Sequence, residues 1–224
     1  MSGNICVFGD SIAFGKYDPR GGWAARLAEF LEARYLAKKD DEFFVYNLSI
    51  SGNHTGDILA RFETELKPRF SEKREWVIVF AVGLNDSAVV HSKNDNWVGF
   101  GEFQENIKKL IGLADGFSDK IVFVGPTSPD YQIVDPMPWD LDKSYREAEV
   151  KKYDTALRDI CQKFGVGYIP LYEKFAAGGL KKLLHDGAHP NSAGHQLIFE
   201  TVRDYLFICQ NTSGLCPMGQ FIGK

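Results

Sequence analysis

The longest apolar run of the chain reads Trp76-Val77-Ile78-Val79-Phe80-Ala81-Val82, and it ends at Gly83. A strand with one face in water alternates apolar and polar residues, whereas every residue of this run is apolar. Such a strand is typical of a parallel sheet that helices cover on both faces. The run therefore predicts a buried strand of an α/β protein.

Four further short apolar segments are predicted as strands, and helical patterns separate them. These segments are Ile5 to Phe8, Phe43 to Leu48, Ile121 to Gly125 and Gly167 to Leu171. Apolar residues recur with the helical period in 23–35, 55–66, 103–111, 153–164 and 197–206. Thr55 is the expected N-cap of the second helix. The alternation predicts a three-layer α/β/α domain over residues 1–207, with a parallel, flavodoxin-like five-stranded sheet, and residues 208–224 as an irregular C-terminal extension.

The composition is that of an ordinary globular protein. Hydrophobic residues make up 44% and charged residues 25% of the chain, which argues against disorder. The 26 Lys and Arg against 30 Asp and Glu give a net charge of −4, so no nucleic acid partner is expected.

No stretch approaches the ~20 apolar residues that cross a bilayer, so no membrane span is expected. Asn4 to Phe8 already has the pattern of a strand, and the first basic residue is Lys16, so no signal peptide is evident. We therefore expect a cytoplasmic protein, although a secreted chain after trimming would look the same.

The four cysteines do not form a disulfide framework, because they are few and scattered. Cys6 and Cys161 fall on predicted core positions and are expected to be buried. Cys209 and Cys216 lie in the C-terminal extension, and their pairing stays open.

Glycine and polar residues follow the predicted strands, at the edge where parallel sheets bind their ligands. Gly9-Asp10-Ser11-Ile12 follows the first strand, Ser51-Gly52-Asn53 the second, and Gly83-Leu84-Asn85-Asp86 the third. A fourth block, Asp186-Gly187-Ala188-His189-Pro190, lies near the C-terminus. We expect the four blocks to meet in one site.

This set resembles the SGNH hydrolases, also called the GDSL esterase and lipase family, whose four blocks supply a Ser, a Gly, an Asn and a His in this order. The flanking Gly21-Gly22-Trp23 and Gly194 agree with the family pattern. One Gly-Asp-Ser triplet is weak evidence because it is common by chance, but four blocks in order are strong evidence. The resemblance implies the SGNH hydrolase fold, cleavage of carboxylic esters, and no metal or organic cofactor.

The chemistry of these residue types agrees with that expectation. A serine hydroxyl such as that of Ser11 is a poor nucleophile without a neighbouring base. His189 is the natural base, since an imidazole takes up and returns a proton near neutral pH. Asp186 lies three residues earlier, and a turn closed by Pro190 is expected to bring its carboxylate to the imidazole.

A tetrahedral oxyanion also needs hydrogen-bond donors held in place. Gly52 is expected to supply its backbone amide and Asn85 its side-chain NH2, while the family resemblance implies the Ser11 amide as a third donor. Asp86 is expected to hold its loop. His185 and His189 have the spacing of a metal pair on a helix, but Gly187 and Pro190 disfavour a helix there, so no metal site is expected.

Substrate recognition is expected in two long connections, Ser87 to Gly101 and Thr127 to Ser144, because long loops in a compact domain are usually functional. The candidate substrate-binding residues are Asp10, His54, Trp97, Tyr131 and Trp139. We expect small soluble esters to be cleaved through an acyl-enzyme. Similar enzymes also cleave acetylated carbohydrates, lysophospholipids and thioesters, so these substrates stay open, as does the oligomeric state.

Parts of the sequence also fit three rival functions. A phosphate-binding loop needs four residues between its glycines and a Ser or Thr after its Lys, whereas Gly9 and Gly15 enclose five and Tyr17 follows Lys16. A flavodoxin-like binding module would share the sheet, but it would leave Asp186 and His189 without a role. Retained flavin would favour this module. A pseudoenzyme is disfavoured because no essential group is replaced, and labelling by a serine-directed phosphonate would exclude it.

Overall fold

Five parallel strands form the central sheet of the computed structural model, which describes residues 3–38 and 42–207. In chain order, the strands are β1 (Gly3–Gly9), β2 (Phe43–Asn47), β3 (Glu75–Ala81), β4 (Val89–Val90), β5 (Asp95–Asn96), β6 (Ile121–Val124), β7 (Lys143–Ser144) and β8 (Gly167–Ile169). The central sheet has the order β2-β1-β3-β6-β8. The five predicted strands are thereby confirmed, with ends that differ by at most about two residues, the usual uncertainty of such bounds.

Helices cover both faces of this sheet. The helices are α1 (Ser11–Phe14), α2 (Gly22–Leu36), α3 (Thr55–Leu66), α4 (Phe100–Asp115), α5 (Tyr131–Val134), α6 (Glu147–Phe164), α7 (Tyr172–Gly178), α8 (Leu180–Leu183) and α9 (Ser192–Phe207), with 3₁₀ turns at Lys67–Arg69 and His91–Lys93. Helices α2 and α9 pack on one face, and α3, α4 and α6 pack on the other. The predicted three-layer α/β/α architecture is confirmed. In residues 3–38 and 42–207, no helix combines the length and apolar character needed to cross a bilayer.

The core consists of two apolar clusters, one on each face of the sheet. Strand β1 supplies Ile5 and Val7 to one cluster and Cys6 and Phe8 to the other. Strand β3 alternates in the same way, so both of its faces are covered. This two-sided burial is the reason that the run 76–82 contains no polar residue.

The cysteines of the described residues lie in this core. Cys6 and Cys161 are fully buried, as predicted, and burial raises the pKa of each thiol to about 12. Both thiols therefore stay protonated at neutral pH. The predicted extension at 208–224, with Cys209 and Cys216, lies outside the described residues.

A second, small sheet was not predicted. Strands β5, β4 and β7 pair antiparallel in that order, with Val89 opposite both Asn96 and Ser144. It joins the two long connections, Ser87 to Gly101 and Thr127 to Ser144, which follow the carboxyl ends of β3 and β6. The two connections therefore form one structural unit at the edge of the sheet where the motif blocks lie.

The N-terminus of α3 differs from the sequence prediction in one detail. His54, not Thr55, is the N-cap, because its Nδ1 accepts a hydrogen bond of 3.2 Å from the Gly56 amide. Asp57 completes the cap by accepting a hydrogen bond of 3.0 Å from the His54 amide. Thr55 is the first helical residue, and its hydroxyl is used in a contact to the neighbouring loop that is described below.

Candidate active site

Ser11 lies at the turn between β1 and α1, at the carboxyl edge of the central sheet. Asp10 caps α1, because its Oδ1 accepts a hydrogen bond of 2.8 Å from the Ile12 amide. Gly9 permits this close turn, since a Cβ there would lie 2.9 Å from the carbonyl oxygen of Ala81 on β3. The local sequence thus places Ser11 as the first residue of a short helix, directly after the strand.

Ser11, His189 and Asp186 form a continuous hydrogen-bonded chain. The Nε2 atom of His189 lies 2.9 Å from Ser11 Oγ, and its Nδ1 atom lies 2.8 Å from Asp186 Oδ2. Ser11 and His189 are 178 positions apart in sequence, and both are largely buried. The fold therefore brings together the three residues that the sequence nominated for catalysis.

A tight turn between α8 and α9 holds Asp186 against His189. Leu184 and Pro190 pair across the turn, and Gly187 occupies the left-handed region with a φ of 94°. The Oδ1 atom of Asp186 accepts hydrogen bonds from two backbone amides of the turn, at 2.8 Å from His189 and 3.1 Å from Ala188. The turn itself thus orients the carboxylate.

The charge of Asp186 follows from these contacts. Burial favours the neutral carboxyl, but the hydrogen bonds from the His189 ring and from the amides of His189 and Ala188 outweigh it and lower the pKa of Asp186 to about 2. Asp186 is therefore ionised at neutral pH, and its Oδ2 accepts a hydrogen bond from an Nδ1 of His189 that carries a proton. The unprotonated Nε2 atom of a neutral imidazole then faces Ser11 Oγ, where a base is needed.

Gly52 and Asn85 lie on adjacent loops that are tied to each other. Gly52 has a φ of 86°, a conformation that favours glycine, and a Cβ there would meet no other atom within 4 Å. The Nδ2 atom of Asn85 donates a hydrogen bond of 2.9 Å to the carbonyl of Asn53, the residue after Gly52. The Oδ1 atom of Asn85 accepts a hydrogen bond of 2.8 Å from the hydroxyl of Tyr145.

Asp86 also links the loop that carries Asn85 to the start of α3, which follows the Gly52 loop. Its Oδ1 accepts hydrogen bonds from the amide of Thr55 at 3.0 Å and from the hydroxyl of Thr55 at 2.5 Å. Asn106 on α4 donates to the same hydroxyl at 3.1 Å. Asp86 is fully buried, and burial raises its pKa despite these hydrogen bonds. The geometry agrees with the structural role expected for Asp86.

Asp10 is a second buried carboxyl group beside the nucleophile. Burial raises the pKa of Asp10 to about 6, although the Ile12 amide and the His189 ring favour its charged form. The nearby Asp86 carboxylate raises the pKa further. Asp10 therefore changes its charge near neutral pH, unlike Asp186.

Two exposed aromatic rings flank the His189 imidazole. The Trp139 ring centroid lies 5.5 Å from that of His189, and Tyr17 meets the imidazole edge to face at 5.5 Å. Tyr17 also stacks on His185 at 4.1 Å, and it has a left-handed φ of 65°, rare for a residue with a side chain. Trp139 is 45% and Tyr17 44% exposed, so part of each ring remains available to a ligand.

The predicted substrate-binding residues His54, Trp97 and Tyr131 contact other side chains. Trp97 contacts His54 edge to face at 5.6 Å, and the Nζ atom of Lys143 lies 3.9 Å from the Trp97 ring centroid. The hydroxyl of Tyr131 lies 3.0 Å from that of Tyr172. Their contribution to substrate binding stays a prediction.

The sequence did not predict a role for Tyr17 or Tyr145. Tyr17 follows the nucleophile block by only a few residues, so its nearness to Ser11 in the chain was the available signal. Tyr145 had no such signal, because it reaches Asn85 only through the pairing of β7 with β4. Across residues 3–38 and 42–207, no group of three His, Cys, Asp or Glu side chains is arranged to hold a metal ion.

Solved structures with this fold include several esterases. A lipase/acylhydrolase from Enterococcus faecalis superposes with a TM-score of 0.72 at 22% identity, covering 89% of this chain and 93% of its own. The acetyl xylan esterase AlAXEase gives a TM-score of 0.71 at 20% identity, covering 91% and 100%. An acetylxylan esterase from Geobacillus stearothermophilus gives 0.68 at 20% identity, covering 90% and 92%. At these identities the likeness concerns the fold.

Comparison with curated proteins finds no match. The sequence model of the GDSL-like Lipase/Acylhydrolase family, in contrast, matches residues 7–197 and so includes all four motif blocks. This match sets aside the flavodoxin-like binding module. The chain belongs to the GDSL-like lipase/acylhydrolase family and is a carboxylic ester hydrolase.

Proposed function

We propose that the protein hydrolyses esters of small soluble substrates through an acyl-enzyme on Ser11. The observation that carries the proposal is the chain of hydrogen bonds from Ser11 Oγ to His189 Nε2 at 2.9 Å and from His189 Nδ1 to Asp186 Oδ2 at 2.8 Å. A serine, a base and a carboxylate that orients the base are the parts that nucleophilic acyl transfer requires.

Acylation begins when His189 Nε2 takes the proton of Ser11 Oγ and the oxygen attacks the ester carbonyl carbon. The carbonyl π electrons move to oxygen and form a tetrahedral oxyanion. Its negative charge is met by the Ser11 amide, the Gly52 amide and the Asn85 NH2 group. The charge of Asp186 stabilises the imidazolium that is present at this stage.

The tetrahedral intermediate collapses when the carbon–oxygen bond to the leaving alcohol breaks. His189 gives its proton to the alcohol oxygen, and the acyl group stays on Ser11. In the second half, His189 takes a proton from water, and the resulting hydroxide attacks the acyl-enzyme. The Ser11–acyl bond then breaks, Ser11 regains its proton from His189, and the carboxylic acid leaves.

Ser11→Ala tests the proposal, with turnover of a short-chain aryl ester and labelling by a serine-directed phosphonate as readouts. Ser118→Ala is a matched control, because its hydroxyl donates to the Trp76 carbonyl beside the start of β3, at the opposite edge of the sheet. We expect Ser11→Ala to abolish both turnover and labelling, and Ser118→Ala to keep both. Near-normal turnover by Ser11→Ala would refute the mechanism.

Acetylated sugars are a second candidate substrate class, favoured by the exposed rings of Trp139 and Tyr17 beside His189. An aromatic face is a good platform for the apolar C–H face of a sugar ring. Trp139→Ala should then raise the KM for an acetylated xylose about tenfold, the effect of ~1.4 kcal/mol of lost contact. The KM for p-nitrophenyl acetate, which has no sugar ring, should change little. Equal effects on both substrates would favour the small ester.

A further inference from the structure

Tyr145 is a buried residue that the acyl-transfer steps do not use directly. Its side chain is 5% exposed, and its hydroxyl lies 2.8 Å from Asn85 Oδ1. The Tyr145 amide donates to the Val134 carbonyl at 3.0 Å, and β7, which ends at the preceding residue, pairs with β4. The Tyr145 end of this contact is therefore held by backbone hydrogen bonds.

The two hydrogen bonds of the Asn85 amide decide its orientation. Asn53 offers a carbonyl, which can only accept, so the Nδ2 side of the amide must face it. Oδ1 can only accept, so the Tyr145 hydroxyl must be the donor. Nδ2 carries two hydrogens, and one of them is hydrogen-bonded to the Asn53 carbonyl. The second N–H remains for a ligand.

Tyr145 is held in the protonated form that donation needs. Burial raises its pKa above the ordinary value, and the carboxylates of Asp10, Asp186 and Asp86 raise it further. A hydrogen bond into Oδ1 also draws electron density from the amide nitrogen, which makes the free N–H a stronger donor. Tyr145 therefore affects both the direction and the strength of the Asn85 donor.

We propose that Tyr145 is a positioning residue of the oxyanion hole, which orients and polarises the Asn85 amide and thereby lowers the barrier without touching the substrate. The inference rests on the proposed function, because it needs Asn85 to bind the oxyanion. It assigns a role to the residue directly after the Thr127 to Ser144 connection, which no sequence block marks.

Tyr145→Phe tests the inference, since it removes one oxygen atom and keeps the ring. We expect kcat for p-nitrophenyl acetate to fall about tenfold, the loss of one neutral hydrogen bond, with little change in KM. Tyr153→Phe is the matched control: it also loses a fully buried hydroxyl, which donates to the Val98 carbonyl at 2.6 Å. The control should keep its kcat, and thermal unfolding measures the stability of both variants.

A double-mutant cycle separates positioning from a structural effect. Asn85→Ala alone should lower kcat by about 10² to 10³, as for other oxyanion donors. Adding Tyr145→Phe to Asn85→Ala should cost no further activity, because the amide through which Tyr145 acts is gone. Multiplicative losses in the double variant would overturn the inference.

A boronic acid gives a second readout, since its tetrahedral adduct on a serine resembles the oxyanion. Tyr145→Phe should weaken phenylboronic acid binding by the same factor as kcat, whereas Tyr153→Phe should not. Tyr145→3-fluorotyrosine keeps ring and hydroxyl and makes the hydroxyl a stronger donor, so it should keep or raise kcat. A fall in kcat for this variant would overturn the inference. This test remains usable even if Tyr145→Phe does not fold.

The outcomes distinguish this inference from the proposed function. Normal turnover by Ser11→Ala refutes the proposed function, and the role of Tyr145 with it. Normal turnover by Asn85→Ala removes Asn85 from the oxyanion hole and so overturns only the role of Tyr145. A slow Asn85→Ala together with a normal Tyr145→Phe overturns only the role of Tyr145. A slow Tyr145→Phe that binds the boronic acid normally does the same.

Discussion

Asp10→Asn separates two roles of the residue that precedes the nucleophile. The Asp10 carboxyl caps α1, and it is 6% exposed. Asparagine caps a helix as well as aspartate does, so the substitution keeps the bond to the Ile12 amide and removes only the buried charge. Any change in stability that depends on pH then reports the cost of ionising Asp10.

The magnitude follows from the pKa. Burial raises the pKa of Asp10 from 3.8 to about 6, a difference of about two. At 1.36 kcal/mol per unit, this corresponds to about 3 kcal/mol. Because the folded protein binds the proton more tightly than the unfolded chain, the stability of the wild type falls as the pH rises from about 4 to about 6. The stability of Asp10→Asn should not show this fall, because asparagine does not ionise.

Urea unfolding of both proteins between pH about 4 and about 7 measures the effect, since other titrating groups cancel in the difference. We expect Asp10→Asn to gain about 3 kcal/mol relative to the wild type over this range. Asp130→Asn is a matched control, because Asp130 caps α5 in the same way but is only half-buried. A difference between wild type and Asp10→Asn that does not vary with pH would refute the reasoning.

Three further perturbations have expected outcomes. Asp186→Asn should lower kcat by about 10⁴, because a neutral partner no longer holds the required tautomer of His189; a loss below about tenfold on p-nitrophenyl acetate would remove Asp186 from the site. Phe62→Ala should lower the free energy of unfolding by about 3 to 5 kcal/mol in urea, since Phe62 packs against Phe8 at 5.1 Å and Phe80 at 5.6 Å; a loss under about 1 kcal/mol would mean that the core collapses around the gap. EDTA should leave the hydrolysis rate unchanged, and a loss restored by added metal would contradict the metal-free mechanism.

The sequence predicted the central sheet well because its inner strands β1, β3 and β6 are buried on both faces. Every residue of the run 76–82 is apolar, so this strand could be predicted without tertiary information. Block order also predicted which residues meet, because parallel strands deliver their carboxyl ends to one edge. Ser11, Gly52 and Asn85 each follow such a strand, whereas His189 reaches Ser11 from the turn between α8 and α9.

The features that were not predicted depend on contacts between distant segments. Two-residue strands such as β4 and β7 are too short for any periodicity, and only their pairing defines them. Thr55 has the side chain of a typical N-cap, yet its hydroxyl binds Asp86, so His54 takes the cap. Tyr17 lies against His189 through a left-handed backbone turn, which the residue type disfavours.

The small sheet limits how substrate specificity can change when segments are exchanged between family members. The segment 127–146 carries Trp139, the strand β7 and the hydroxyl that holds Asn85. A chimera that receives this segment alone from another family member would leave Val89–Val90 without one of its two native partner strands and the Asn85 amide without its native donor. Residues 87–101 and 127–146 should therefore be exchanged together, and the two segments are expected to diverge as one inherited module.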